Sequence, residues 1–248
     1  PEVEEEVIRA LMLLRLSTLC TGRTGVRPVV VETYAKALNA GIVPVVREYG
    51  SLGCSGDLAP LAHCALALLG EGEVRVNGEL KDASDALAAA GIEPLQLREK
   101  EGLALINGTD GMLGQLCLAI TDLRAAAKTA DIATAMTVEG LLGTLVVFAD
   151  DLQQLRPHPG QADAAANILQ VAEGSEILEA ALEEFKKNQV QDAYSVRCAP
   201  QVAGGFRDTL AHTAQVAERE LAAAVDNPVV TKDGRAVSYT HLRAHETK

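Results

Sequence analysis

The stretch from Thr109 to Phe148 decides the fold: TDGMLGQLCLAITDLRAAAKTADIATAMTVEGLLGTLVVF, with no proline and only scattered glycines. Proline is the residue a helix interior tolerates least, so its absence over such a length predicts one very long helix or two stacked ones. A helix of that kind is held by burying an apolar stripe against neighbours, which is the geometry of a bundle with an extended spine. Composition agrees. The 248 residues are 48% hydrophobic, enough for a sizeable core, yet aromatics make up 3% and Trp is absent. Such a core is built by close helix packing rather than by sheets rich in aromatic and β-branched residues. The expected fold class is all-α, an elongated helical bundle.

Working outward, Glu2 to Thr21 carries Val7, Leu11, Leu14 and Thr18 at helical spacing and stops at Gly22, and Pro28 to Ala40 stops at Gly41. Val43 to Asp57 lacks helical periodicity and holds Pro44, Gly50, Gly53 and Gly56, so it reads as loop or extended chain, followed by a helix from Asp57 or Leu58 to Leu69. Val74 to Leu80 alternates around Asn77-Gly78 and reads as a small hairpin excursion at the surface. Further helices are expected from Ala162 to Ala181 and from Pro200 to Ala224. No internal repeat and no dividing linker is visible, so residues 1–237 read as one partial helical domain. The last residues, Ser238 to Lys248, lose all periodicity and resemble adapter read-through, so 238–248 reads as a foreign tail. The chain opens on Pro1 inside a helical pattern, as a cut through a longer protein would.

A net charge of -12 opposes attraction to nucleic acid phosphates or to an anionic membrane surface. The expected partner is a small molecule, with no nucleic acid and no membrane. No segment reaches the roughly 18 uninterrupted apolar residues of a membrane span. Five cysteines, an odd number without a CxxC pair, fit reduced thiols in a cytoplasmic protein, with neither a disulfide framework nor a metal site.

The chemistry is carried by Gly50-Ser51-Leu52-Gly53-Cys54-Ser55-Gly56-Asp57, a glycine-rich turn running into a helix. A phosphate loop would need a Lys at the helix start, and the first Lys after it is Lys81. A nucleophile elbow would need Gly-x-Ser-x-Gly after a strand, and neither is present. A purely structural tight turn explains the glycines as well as any chemistry does. The remaining reading is autocatalytic cyclisation: the Gly56 amide nitrogen attacks the Cys54 carbonyl, and dehydration turns Ser55 into an exocyclic methylene. It requires Gly as the attacking residue, Ser as the carbon source and flanking glycines for a strained turn, and the sequence supplies all three. A helix N-terminus just beyond would deepen the electrophilic character of the product.

This segment, with Leu61-Ala62-His63, resembles the signature of the histidine, phenylalanine and tyrosine ammonia-lyase family, and the resemblance extends to about Val237. It includes Lys100-Glu101-Gly102-Leu103-Ala104-Leu105-Ile106-Asn107-Gly108-Thr109 and Gln191-Asp192-Ala193-Tyr194-Ser195-Val196-Arg197-Cys198. The family's usual tripeptide is Ala-Ser-Gly; Cys54 departs from it, but only its backbone would enter the ring. The resemblance implies an electrophile, 4-methylidene-imidazol-5-one (MIO), formed from Cys54, Ser55 and Gly56 with no external cofactor. It implies that Asn107 and Arg197 hold a substrate carboxylate, and that Gln191 and Tyr194 line the ring and the amino-group side. Asp57 is a supporting carboxylate that helps cyclisation or orients the helix start.

The residue types suit these roles. Arg offers a planar fork to a carboxylate, Asn a neutral donor, and Tyr a proton or hydrogen bond. Taken singly, Arg197 reads as a surface ion pair and Asn107-Gly108-Thr109 as a helix cap. Ala193 stands where the family commonly has Pro, which loosens the expected presentation of Tyr194. His63 reads as a packed, hydrogen-bonded residue, and the Glu4 to Glu6 and Glu183-Glu184 clusters as solvated faces.

The implied activity is elimination of ammonia from an aromatic L-amino acid, L-histidine giving trans-urocanate, in a homotetramer whose sites draw on several subunits. The alternatives are a phenylalanine or tyrosine ammonia-lyase, the related aminomutase, and a helical scaffold without chemistry. The family's lid Tyr, the upstream residues that choose the substrate and a downstream Glu lie outside this sequence, so these 248 residues alone are expected to be inactive.

Overall fold

The computed structural model describes residues 1–53, 57–188 and 190–238, without the side chains of 184–188. The chain forms two compact units, Pro1–Leu118 with Ala217–Lys248, and Ala119–Val216. The divisions fall inside helices rather than at a linker.

The first unit opens with α1 (Glu5–Cys20) and α2 (Pro28–Asn39). Glu5 and Glu6 sit in the first turn of α1, where the helix dipole favours negative charge, and Pro28 starts α2 at the position where its missing N–H costs nothing. The buried stripe of α1 is Ile8, Leu11, Met12, Arg15, Thr18 and Leu19, turned by one residue from the spacing expected on Val7, Leu11, Leu14 and Thr18. The reason is Arg15: a fully buried cation belongs to the inner face, and apolar periodicity cannot place it there. Full burial of Ile8, Leu11 and Met12 contributes about 1.5–3 kcal/mol each.

The Asn77-Gly78 hairpin forms between β2 (Glu73–Val76) and β3 (Glu79–Asp82), with both turn residues at positive φ, 53° and 80°. It is less of an excursion than expected. β1 (Ile42–Pro44) pairs antiparallel with β2, and Val74 is fully buried, while β3 stays exposed. α3 (Leu58–Leu68), α4 (Ala83–Ala89) and α5 (Glu101–Ile106) complete this part of the core. A short ribbon of β4 (Val229–Val230) and β5 (Ala236–Val237), which the sequence did not announce, closes the described C-terminus. The foreign-tail reading falls, apart from Ser238, outside the described residues.

α6 spans Asp110–Gly140 as a single helix. It stops short of Phe148 because the chain turns at Leu142, φ 52°, and enters a 3₁₀ turn at Val146–Phe148. The second unit continues with α7 (Asp150–Gln153), α8 (Pro159–Val171), α9 (Glu176–Asn188), α10 (Tyr194–Arg197) and α11 (Ala199–Leu221). The single helix expected from Ala162 to Ala181 is two, because Ser175 caps α9 by accepting the Leu178 N–H at 3.2 Å. Ala135, Val138, Phe148, Ala165, Ile168 and Leu178 form its core. Close helix packing is literal where α8 meets α11: a Cβ on Gly160 would lie 2.6 Å from the Gly204 carbonyl oxygen. Arg207 pairs there with the buried Asp131, which also accepts from Asn167 Nδ2 at 2.8 Å.

The stretch 101–140 is apolar and long enough to cross a membrane by length and composition alone. It is broken between α5 and α6 and carries five charged residues from Asp110 to Asp131, and a long apolar core helix has the same length and composition.

Candidate active site

Cys54, Ser55 and Gly56 lie outside the described residues, so the site is built from what flanks them. Asp57 is almost fully buried, and its Oδ1 accepts from Ser51 Oγ at 2.5 Å, Gly53 N at 2.8 Å and Leu52 N at 3.0 Å. Three donors on one oxygen curl the chain back over residues 51–53. Gly53 adopts φ 67°, a conformation open to glycine at little cost. Asp57 makes no side-chain cap with α3, so its carboxylate organises the loop behind it rather than the helix ahead. Ser51 and Asp57 also line a cavity of about 250 Å³ with Ile8, Leu11, Val46 and Gln115.

Asn107 sits at the bend between α5 and α6, 9% exposed. Its carbonyl oxygen accepts from Arg15 Nη1 at 2.7 Å, and its Nδ2 donates to the Asn227 carbonyl at 2.6 Å. Arg15 also reaches the Val225 carbonyl at 3.1 Å and the Asp110 carboxylate at 3.3 Å. The next residue is glycine for a steric reason: a Cβ on Gly108 would collide with Arg15 Nη1 and the Asp110 carboxylate. Asn-Gly-Thr is therefore more than a cap; it lets a buried guanidinium lie across the backbone. Burial raises the Asp110 carboxyl above its ordinary range against the pull of Arg15, and the charge of Asp226 adds to the rise. At the start of α5, Glu101 takes both Nε and Nη2 of Arg27 at 2.8 Å, a hydrogen-bonded pairing that holds its carboxyl down at about 2.

In the second unit the residues expected to face substrate share one short segment. Asp192 accepts the Thr144 N–H at 2.9 Å and so ties this segment to the turn after α6. Gln191 is exposed. On α10, Val196 packs toward the core, which leaves Tyr194 and Arg197, three residues apart, on the other face. The Arg197 guanidinium carbon lies 4.9 Å from the centre of the Tyr194 ring, and its Nε is buried without a hydrogen-bond partner among the described residues. Tyr194 is 72% exposed. A stacked guanidinium with an unused buried donor suits an oxyanion ligand.

The structure thus brings Tyr194 and Arg197 together in the second unit, with Gln191 exposed three residues before Tyr194 in the chain, and places Asp57 and Asn107 in the first. Sequence reasoning gave no role to Ser51, Arg15, Lys100, Asp192 or Asp226. The i, i+3 spacing of Tyr194 and Arg197 was a readable signal; the partners of Asn107 were not. His63 Nδ1 is buried without a partner among the described residues, unlike the hydrogen-bonded histidine expected, and no metal-binding cluster is found among them.

A family model described as aromatic amino acid lyase matches residues 1–246. The chain belongs to the aromatic amino acid lyase family. Among its relatives, the histidine ammonia-lyases of Streptomyces coelicolor and Streptomyces avermitilis are each 62% identical over 239 residues, 96% of this chain and 46% of theirs. Among solved structures, tyrosine aminomutase from Streptomyces globisporus is 40% identical with a TM-score of 0.87, covering 98% of this chain and 48% of that one. Histidine ammonia-lyase from Trypanosoma cruzi is 37% identical with a TM-score of 0.86, covering 98% and 45%. The chain therefore spans about half the length of these family members.

Proposed function

We propose that the full-length protein carrying this chain eliminates ammonia from L-histidine to give trans-urocanate, using an MIO group formed from Cys54, Ser55 and Gly56. The observation that carries the reading is the Arg197–Tyr194 pair, a stacked guanidinium with an uncommitted buried Nε, in a family member 62% identical to named histidine ammonia-lyases. The surroundings of the tripeptide fit such a group: Asp57 draws the preceding amides into a tight turn, and glycine occupies the left-handed position at 53.

Formed from residues 54–56, MIO would supply an electrophile for the substrate, which would make the amino group a better leaving group or the β-proton more acidic. The chain's own residues bind and orient. Arg197 engages the substrate carboxylate through two parallel hydrogen bonds, and Asn107 is a neutral donor to substrate in a site that draws on several copies of the chain. Tyr194 offers its hydroxyl to a proton in transit on the amino-group side, a side it shares with Gln191 in this reading. Fixing the carboxylate fixes the α-carbon, and with it the distance from the β-proton to its base. Exposed apolar side chains on α6 and α11, Ile132, Met136, Val202 and Phe206, support covering by other copies in a homotetramer. Cytoplasmic residence belongs to the same reading.

The test is turnover by the full-length protein offered L-histidine, L-phenylalanine and L-tyrosine separately, with unsaturated acids and β-amino acids both measured. Urocanate from histidine alone is the expected result. Cinnamate or coumarate overturns the substrate, β-amino acids overturn elimination in favour of the aminomutase, and no product from any of the three overturns the reading.

A further inference from the structure

Asn107 is held at both ends by groups that do not belong to the expected binding set. Its main-chain carbonyl is taken by Arg15 of α1, and its side-chain Nδ2 faces two oxygens, the Asn227 carbonyl at 2.6 Å and Asp226 Oδ1 at 3.5 Å. Asp226 is fully buried. Its other carboxylate oxygen pairs with Lys100, whose ammonium also donates to the Thr24 carbonyl at 2.7 Å. Lys100 adopts φ 70° immediately before α5, so the chain turns sharply where this ammonium is delivered.

Two cations, Arg15 and Lys100, and two carboxylates, Asp110 and Asp226, balance to zero net charge around one amide. A carboxamide can be turned end for end at almost no steric cost, so only its hydrogen-bond partners decide which end points where. Here they decide firmly. Turning the Asn107 amide would press its Oδ1 against a carbonyl and a buried carboxylate, where repulsion is screened little.

We propose that Lys100 and Asp226, with Arg15, are positioning residues for Asn107, which fix the rotamer and the sense of its amide so that its remaining polar atoms meet the substrate in one orientation. This rests on the lyase reading above. Lys100 and Asp226 act as a pair. Lys100 holds the Asp226 carboxylate in place, and Asp226 with the neighbouring Asn227 carbonyl keeps the amide nitrogen turned inward. Arg15 ties the bend at residue 107 to α1 and to the Val225 carbonyl, so the backbone cannot drift while the side chain is held.

A residue that acts only through Asn107 has nothing left to contribute once Asn107 is gone, which sets it apart from a general support of the fold. The experiment uses the full-length protein and compares Asp226→Asn, Lys100→Gln, Asn107→Ala and the two doubles with Asn107→Ala. Each is measured for kcat/KM on histidine, ring content by intact mass, and melting temperature. Each single variant should lose about 10- to 100-fold in kcat/KM with ring content unchanged. Each double should be no worse than Asn107→Ala alone, and Lys100→Arg, which keeps the charge, should stay near wild type. If Asp226→Asn does not fold, Lys100→Gln carries the same cycle from a side chain that is 22% exposed. Losses that multiply in the doubles, wild-type turnover in the singles, or ring content that falls in step with turnover would each overturn the proposal. An active wild type with multiplying losses removes this inference alone, whereas an inactive wild type removes the lyase reading and this inference together.

Discussion

Replacing Asp57 with Ala removes the acceptor on which the loop before the tripeptide is wound. Its Oδ1 takes three donors, two of them backbone N–H groups, in a nearly water-free position. Hydrogen bonds to a charged partner contribute about 1.5–3 kcal/mol each, but three on one oxygen share it and the freed amides recover some water, so the sum is discounted to about 3 kcal/mol. At 1.4 kcal/mol per factor of ten, the wound conformation becomes about 100-fold rarer. If that conformation is the one that cyclises, ring formation slows by about the same factor. Asp57→Asn keeps an acceptor oxygen in place but loses the charge, which is worth roughly half of each bond, so it should fall between. The assay is a time course of intact mass and near-ultraviolet absorbance after synthesis of the full-length protein, with a melting curve to show that each variant is folded. Wild-type ring formation in folded Asp57→Ala would refute the reasoning and take Asp57 out of the account.

Arg197→Lys should raise KM and lower kcat together, because a point ammonium cannot reproduce a bidentate contact or stack on Tyr194 as a guanidinium does; unchanged steady-state constants would make Arg197 structural. The Glu101–Arg27 pair predicts a specific loss of stability in acid. The folded-state carboxyl is held at about 2 against an ordinary value of 4.5, so its contribution is complete above about pH 4.5 and disappears as the pH falls toward 2. That contribution is roughly 2–3 kcal/mol. Urea unfolding at pH 6 and pH 2.5 should show a steeper loss for wild type than for Glu101→Gln, and equal losses would contradict the pairing.

The helical class and several boundaries were legible because they are written locally. Pro28 and Gly41 bracket α2, and the Ala/Leu run after Asp57 has one way to bury itself, as α3 does. Asn77-Gly78 named its own turn. What stayed hidden depends on partners far away in sequence. Arg15 lies 92 residues from Asn107 and 210 from Val225, and no periodicity marks a cation as an inner residue. The break before α9 was hidden differently: a serine cap at Ser175 signals a new helix only once Leu178 is seen to donate to it. In the site, the family resemblance named Arg197, Tyr194 and Gln191, but only geometry shows that Asp192 moors their segment and that the Asp57 carboxylate turns back into the loop instead of capping the helix.

The central claim, that Cys54, Ser55 and Gly56 become the electrophile, is tested most directly by the intact mass of the full-length protein and of its Ser55→Ala variant, read down to the peptide that spans residues 50–60. Ring closure expels one water and dehydration of Ser55 a second. The wild-type peptide should therefore be lighter than its sequence by two waters and absorb in the near ultraviolet. Ser55→Ala has no hydroxyl to lose and should show neither property while keeping its fold, with turnover reduced by several orders of magnitude. A wild-type peptide at its full sequence mass in a protein that converts histidine to urocanate would contradict the account, and so would undiminished turnover by Ser55→Ala.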